Sequence, residues 1–338
     1  MIMKKEFIHK SRTKTSAKGI GRREFLKRAS CAGLAIAVMQ QPLRAQTEQE
    51  LPKRILGRTN EKVTILGLGT APVGEGPVGV EEGIKIFSEV IDRGVNYIDT
   101  ARIYGNAEEI LGHIIPKRRD KLFLVTKVST DNGARAERSL NESLNRLKTD
   151  HIDLVHIHSI GSKNLDRVLA SDGVLEFLLK QKDAGKLRFI GISGHNRPAN
   201  FVRMIQTDQI DVLMCVMNHA DRNIYNFEDK VLPEAIKRNI GCAAMKVYAG
   251  IKGGFPNHRS GYVGCATEPA RLPHAMAYAL DLKGVSVAVV GPYTVEQAVQ
   301  NVQFARKYKP LSQEQHASLM EYGKKLAESL GPRYGSVI

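Results

Sequence analysis

A chain of 338 residues exceeds one average domain and matches the usual size of a single α/β barrel. Apolar residues make up 42% of it, enough for a large core, which excludes global disorder. The formal net charge of +15 would suggest a nucleic-acid partner if it were spread over a folded surface, but eleven basic and only two acidic residues lie within 1–45. Beyond that stretch the charges disperse without a basic run, so nucleic acid is not an expected partner.

The chain opens on a leader. Gly21-Arg22-Arg23-Glu24-Phe25-Leu26-Lys27 precedes a mildly apolar stretch, Ala29 to Met39, and then Pro42-Leu43-Arg44-Ala45. A basic start, a short apolar run and a small residue at the cut describe a secretory signal. The arginine pair followed by Phe25-Leu26-Lys27 resembles a twin-arginine signal, which implies export of a folded, cofactor-loaded protein to the periplasm by the twin-arginine machinery. The apolar run is too short to span a bilayer core of about 30 Å, so no stable membrane anchor is expected. The predicted organisation is a signal over 1–45 and one domain over 46–338. After cleavage Cys215, Cys242 and Cys265 remain, an odd number that cannot build a disulfide framework.

Leu51 to Asn60 are expected to form a small hairpin with 63–65 across a barrel bottom. From Val63 onward, β-branched runs alternate with amphipathic helical patterns. Strands are predicted at 63–68, 95–100, 122–128, 152–158, 187–193, 211–217, 241–247 and 285–290. Helices are predicted near 81–93, 107–118, 134–148, 172–184, 198–207, 229–239, 269–282 and 294–307. Eight strands each followed by a helix predict a closed parallel (β/α)8 barrel. A doubly wound sheet would normally carry a Gly-x-Gly-x-x-Gly turn after its first strand. Gly67-Leu68-Gly69-Thr70-Ala71-Pro72 lacks the third glycine, which argues against it. Residues 312–330 form one extra helix, and 248–268, with five glycines, is the longest gap and the expected loop over the active face.

In such a barrel the chemistry lies at the C-terminal ends of the strands. Strand two ends in Asp99, and its loop carries Tyr104. Strand three ends in Lys127 and strand four in His158. A tyrosine is a poor acid at neutral pH, but a nearby lysine cation lowers its pKa. Asp99 would hold that lysine, and His158 would orient a carbonyl oxygen by hydrogen bonding. Positioned proton donation of this kind contributes roughly 10²–10⁴-fold. The set lacks a hydride source, so a cofactor is implied.

The same residues carry a resemblance. Gly94-Val95-Asn96-Tyr97-Ile98-Asp99-Thr100-Ala101-Arg102-Ile103-Tyr104-Gly105 resembles the signature of the aldo-keto reductase superfamily. So do Leu56-Gly57-Arg58-Thr59, Gly67-Leu68-Gly69-Thr70, the lysine after strand three, and Asp153-Leu154 leading to His158. The similarity covers about 52–303. It implies the barrel fold, a catalytic tetrad of Asp99, Tyr104, Lys127 and His158, and a nicotinamide cofactor, NADP with NAD as the alternative. The cofactor would run past Gly69, Thr70 and Asp99. Ser193 matches a family contact to the carboxamide, although Gly194-His195-Asn196 follows where Asn is usual. Asn218 matches a common asparagine, while Met214 stands where glutamine is typical. Strand seven, Ala243-Ala244-Met245-Lys246-Val247-Tyr248, departs from the family's Tyr-Ser-Pro. It places Lys246 at the site and leaves Met245 or Tyr248 to face the nicotinamide. Gly291-Pro292-Tyr293-Thr294 with Gln297 and Asn301 resembles the adenosine-phosphate site, with Tyr293 where many relatives carry a basic residue. Ser159 follows His158 where relatives often have Trp, and the chain has no tryptophan. A polar, sugar-like carbonyl or alcohol substrate is the resulting expectation.

Two other readings stay open on sequence grounds. His158, His195 and His219 follow strands four to six, so imidazoles could ring the mouth of a metal-dependent hydrolase or isomerase. His156 shares a strand face with His158 but lies deeper, which makes it an interior, hydrogen-bonded histidine. A catalytically silent nicotinamide sensor is the second reading.

Overall fold

The computed structural model describes residues 49–252 and 264–338. The predicted signal over 1–45, and residues 253–263 of the expected loop, lie outside the described residues. Strands β1 (Lys53–Ile55) and β2 (Lys62–Thr64) pair antiparallel as the expected hairpin. Eight parallel strands then close into a barrel. In order they are β3 (Leu66–Gly69), β4 (Tyr97–Asp99), β5 (Phe123–Val128), β6 (Ile152–Ile157), β7 (Leu187–Gly194), β8 (Val212–Val216), β9 (Gly241–Met245) and β10 (Val285–Val290). The single strand predicted over 63–68 is two strands parted at Ile65. Val63 pairs with Arg54 in the hairpin, whereas Leu66 pairs with Ala288 of β10 in the barrel. A continuous apolar run hid the handover.

Alternation along each strand sends one set of side chains into the barrel and the other to the helices. Tyr97, Phe123, Val125, Leu154, Val212, Met214, Ala243, Val287 and Val289 fill the interior, and Leu56 and Val63 from the hairpin region close its lower end. Tyr97 stacks on Phe123 at 5.6 Å between centroids, and Phe123 on Phe189 at 6.1 Å. Above this apolar plug the inward positions turn polar: Asp99 on β4, Lys127 on β5, and His156 then His158 on and just after β6. His156 lies opposite Gly191 of β7, where a Cβ would come within 2.3 Å of its Nδ1. The glycine makes room for the imidazole. The outer faces pack on helices such as Val80–Asp92, which buries Ile86, Phe87, Val90 and Ile91.

The extra helix spans Gln313–Leu330 and starts on a capping box between Ser312 and Gln315. It seats against His219, whose ring stacks on Tyr322 at 5.6 Å. The chain then returns across the top of the barrel, and Tyr334 packs against His195 at 4.9 Å. Arg333 fixes this return by donating to Asp221 at 2.8 Å and to the Ala249 carbonyl at 3.0 Å. Among the described residues no helix is long and apolar enough to cross a membrane.

Candidate active site

Strand register brings the four ionisable residues together. Asp99 pairs with Val125 on β5, two residues before Lys127, which itself pairs with His156, two residues before His158. Lys127 is wholly buried and directs its ammonium at three acceptors. Both Asp99 carboxylate oxygens lie at 2.7 Å and the Thr100 carbonyl at 2.8 Å. Burial pushes Asp99 up and Lys127 down, and in each case the partner's charge opposes the shift. Three acceptors on one ammonium favour the charged pair. Lys127 also sits 4.8 Å from the Tyr104 ring centroid, and that ring meets His158 edge-on at 5.9 Å. Tyr104 and His158 both line the cleft, and neither the phenol oxygen nor His158 Nε2 has a protein partner among the described residues.

The expectation of a lysine-lowered phenol is not met. Burial, and after it the Asp99 and Glu75 carboxylates, holds Tyr104 well above the ordinary tyrosine value. The reason is geometric, because the Lys127 N–H groups point at Asp99 and Thr100 and the charge is largely neutralised there. Tyr104 therefore rests as a protonated phenol, the form that donates to a carbonyl oxygen. His158 is pushed down to about 3, first by burial and then by the charges of Lys127, Lys163 and Lys246. It acts as a neutral imidazole.

The cleft has a volume of about 440 Å³ and runs from these residues across the ends of β9 and β10. Gly69, Thr70, Asp99, Lys246, Gly291, Gln297 and Asn301 line it. Its floor at β3 and β10 depends on missing side chains: a Cβ on Gly291 would lie 2.6 Å from Pro72 and 2.8 Å from the Gly69 carbonyl. Thr70 donates its hydroxyl to the Asp99 carbonyl at 3.0 Å. Both candidates to face the nicotinamide, Met245 and Tyr248, line the cleft, and Tyr248 donates to Asn301 at 2.9 Å. Three residues named from the sequence as cofactor contacts do not line it. Thr294 caps the helix Val295–Arg306, accepting from the Gln297 amide at 3.2 Å. Asn218 is buried, with its carbonyl oxygen accepting from the Ala220 and Asp221 amides and its NH₂ donating to Asp221 and Lys246. It shapes the loop after β8. Ser193 is buried at the end of β7, and its hydroxyl has no partner among the described residues.

The residues present fit a dinucleotide. The long cleft, the side-chain-free floor, the unpartnered Ser193 hydroxyl beside it in sequence, and a helix N-terminus capped by Thr294 at the β10 end suit a chain of polar and phosphate groups. Glu75 and Tyr334 also line the cleft and were missed in the sequence; His195 and Asn196 line it too, His195 having been read there only as a possible metal ligand. His195 and Asn196 come just after Ser193-Gly194, so their place beside the site was legible. Tyr334 comes from the far end of the chain, with no periodic signal. Of the histidines considered for a metal, His219 sits under Tyr322 and Tyr278 and does not line the cleft, whereas His195 packs against Tyr334 and shares the cleft with His158. Among the described residues no three His, Cys, Asp or Glu side chains gather as a metal site.

These buried imidazoles carry a stability consequence. His219 is pushed down to about 4 by burial, with Arg271 adding to it. A histidine with a folded pKa below its unfolded value of 6.5 contributes stability that is complete above pH 6.5 and is lost as pH falls toward the folded pKa. At pH 5, His158 and His219 should each cost about 2 kcal/mol relative to pH 7.5. Denaturant titrations at the two pH values read this. Equal stability at both would contradict the neutral, buried imidazoles.

A (β/α)8 barrel with a buried Asp–Lys pair, a protonated tyrosine and a neutral histidine over a nucleotide-sized cleft defines a class, the NAD(P)-dependent oxidoreductases that interconvert carbonyl and alcohol groups. Residues 65–260 match the Aldo/keto reductase family, and the chain belongs to that family. It is 33% identical over 154 residues to L-galactose dehydrogenase of Arabidopsis thaliana, a stretch covering 42% of this chain and 48% of that protein. An oxidoreductase of Bacillus subtilis is 26% identical over 309 residues, 80% of this chain and 96% of its own length. Among solved structures, a thermostable aldo-keto reductase with the inhibitor epalrestat is 27% identical with a TM-score of 0.64, covering 82% of this chain and all of that one. An aldo-keto reductase from Klebsiella pneumoniae, solved with NADP and acetate, shares the fold at 24% identity and a TM-score of 0.64, over 81% and 96% of the chains.

Proposed function

We propose that the chain interconverts the carbonyl and alcohol forms of a polar, sugar-like compound with NADP, NAD being the alternative, and that it is exported with the cofactor tightly held. The observation that carries the substrate reading is the wall beside Tyr104 and His158. Ser159, Ser162, His195 and Asn196 line it with hydroxyl, imidazole and amide groups. Such groups pair with substrate hydroxyls and are left unpaired by an apolar analogue, which costs specificity for that analogue. The name of the Arabidopsis relative points the same way.

A bound nicotinamide supplies the hydride or accepts it. In the reducing direction the Tyr104 hydroxyl gives its proton to the carbonyl oxygen, and His158 holds that oxygen by hydrogen bonding. The phenolate left behind lies next to a Lys127 ammonium whose charge Asp99 and Thr100 largely meet, and it regains its proton from solvent. Asp99 keeps the ammonium in place. In the oxidising direction the same tyrosine oxygen accepts the alcohol proton.

Export follows from the Arg22-Arg23 leader. Outside the cytoplasm no pool of reduced nicotinamide is generally maintained, and an empty site cannot refill when free ligand is scarce. Tight retention, with the cofactor reduced by one substrate carbon and oxidised by another, answers that problem. Native mass spectrometry of the dialysed protein from the exported fraction reads both claims together. The expected mass is a chain cut near Ala45 carrying one nicotinamide dinucleotide. An apo-protein that regains activity only with millimolar added NADP(H) rules out tight retention. Exported protein persisting in an Arg22→Lys, Arg23→Lys variant rules out the twin-arginine route.

A further inference from the structure

A neutral imidazole carries a single ring proton, and only the tautomer with that proton facing the cleft lets His158 donate to a substrate oxygen. His158 Nδ1 lies 2.9 Å from the Ser129 hydroxyl. Ser129 stands just past the end of β5, two residues after Lys127. Its segment is laced to that of His158, whose amide donates to the Val128 carbonyl at 3.0 Å. The carbonyl of Ser129 itself accepts from the half-buried Lys163 ammonium at 2.9 Å. The hydroxyl is therefore presented by a pinned backbone rather than by a free loop.

The Nδ1–Oγ contact allows two arrangements, and counting donors separates them. If Nδ1–H donates to the hydroxyl, the serine proton has no acceptor among the described residues, and His158 turns a lone pair to the cleft. If the hydroxyl donates to Nδ1, the serine proton is satisfied, and the one remaining donor is Nε2–H at the cleft wall. Whereas the first arrangement turns the half-exposed hydroxyl to solvent, the second pairs the serine proton within the protein. It also gives a substrate oxygen two donors, the Tyr104 hydroxyl and the His158 imidazole.

We infer that Ser129 is a positioning residue for the reaction: its hydroxyl donates to His158 Nδ1 and so fixes the ring proton on Nε2, facing the substrate oxygen. The inference rests on the reading of His158 as a substrate contact, and it adds an element to the site that lies outside the four tetrad residues. Ser129 does not line the cleft and acts through the imidazole.

Nitrogen NMR of the ¹⁵N-histidine-labelled protein with NADPH added distinguishes the tautomers, because protonated and bare ring nitrogens resonate far apart. A His158→Gln spectrum assigns the signals. The expected result is a proton on Nε2 in the parent, a mixture of tautomers in Ser129→Ala, and recovery of the parent pattern in Ser129→Thr. In NADPH-dependent reduction of glyceraldehyde, Ser129→Ala should lower kcat about three- to tenfold, the worth of one neutral hydrogen bond, with unchanged NADPH affinity. Ser129→Thr should recover most of that loss. A parent protonated on Nδ1, or a Ser129→Ala spectrum identical to the parent, overturns the inference. A parent with the Nε2 proton under Ser129 control but no turnover of any carbonyl leaves the tautomer assignment standing and removes the reductase reading instead.

Discussion

A Tyr104→Phe enzyme is expected to bind NADP(H) with parental affinity and to reduce its substrate roughly 10²–10⁴ times more slowly. The substitution removes one hydroxyl and little else. The ring keeps its edge-on contact with His158 and its place beside the Lys127 cation. Because burial holds the phenol protonated, the parent donates from the neutral form, and no other side chain replaces that proton. His158 faces the same side of the cleft, but at a pKa of about 3 it is far too poor a base to be recharged near neutrality. Cofactor titration by fluorescence and steady-state rates on the same sample separate binding from chemistry. Near-parental turnover would remove Tyr104 as the acid. Joint loss of binding and rate would mean that the hydroxyl holds the cofactor or the site in place rather than serving as the acid.

The second large effect lies in stability as well as activity. Lys127→Met leaves the Asp99 carboxylate buried with no cation, and breaking a buried pair in this way costs about 3–5 kcal/mol. For a chain of this size that lowers Tm by roughly 6–20 °C. Asp99 is already raised by burial, so without Lys127 it takes up a proton, and the variant should be relatively better off at acid pH. The sign is clear: a carboxyl with its folded pKa above the unfolded value stabilises the fold as pH falls through that range. Adding Asp99→Leu should return part of the lost stability, because no isolated charge remains, while activity stays absent. Calorimetry of the three proteins measures this. A single Lys127→Met variant as stable as the parent would show that the pair is not buried as the structure has it.

Much of this was legible in the sequence, for identifiable reasons. Eight β-branched runs spaced by amphipathic helices imply parallel strands with helical crossovers, and the missing third glycine after Gly67-Leu68-Gly69 argues for the closed barrel over the open doubly wound sheet. The tetrad was legible because barrel chemistry gathers at strand ends, and Asp99, Lys127 and His158 each end one. What pattern could not supply was direction and distance. The effect of Lys127 on Tyr104 depends on where three N–H groups point, and Thr100 contributes a backbone acceptor that no motif reveals. Asn218 had the right type in the right place, yet its amide is taken up by the Ala220 and Asp221 backbone. Tyr334 is held at the cleft by long-range contacts such as the Arg333–Asp221 ion pair, whose partners stand 112 residues apart. Ser129 carries no pattern at all, and its meaning comes from a single contact with His158.

Direct hydride transfer within this cleft, with Tyr104 supplying the proton, is the step on which the chemistry turns. It is tested most directly by a single turnover with NADPH deuterated at the transferable position of the nicotinamide, glyceraldehyde as carbonyl probe, and mass analysis of the alcohol formed. The account requires one deuterium on the carbinol carbon of the product in the parent, and the same label formed far more slowly in Tyr104→Phe. Deuterium absent from that carbon in the parent, or incorporated equally fast without the Tyr104 hydroxyl, would contradict it.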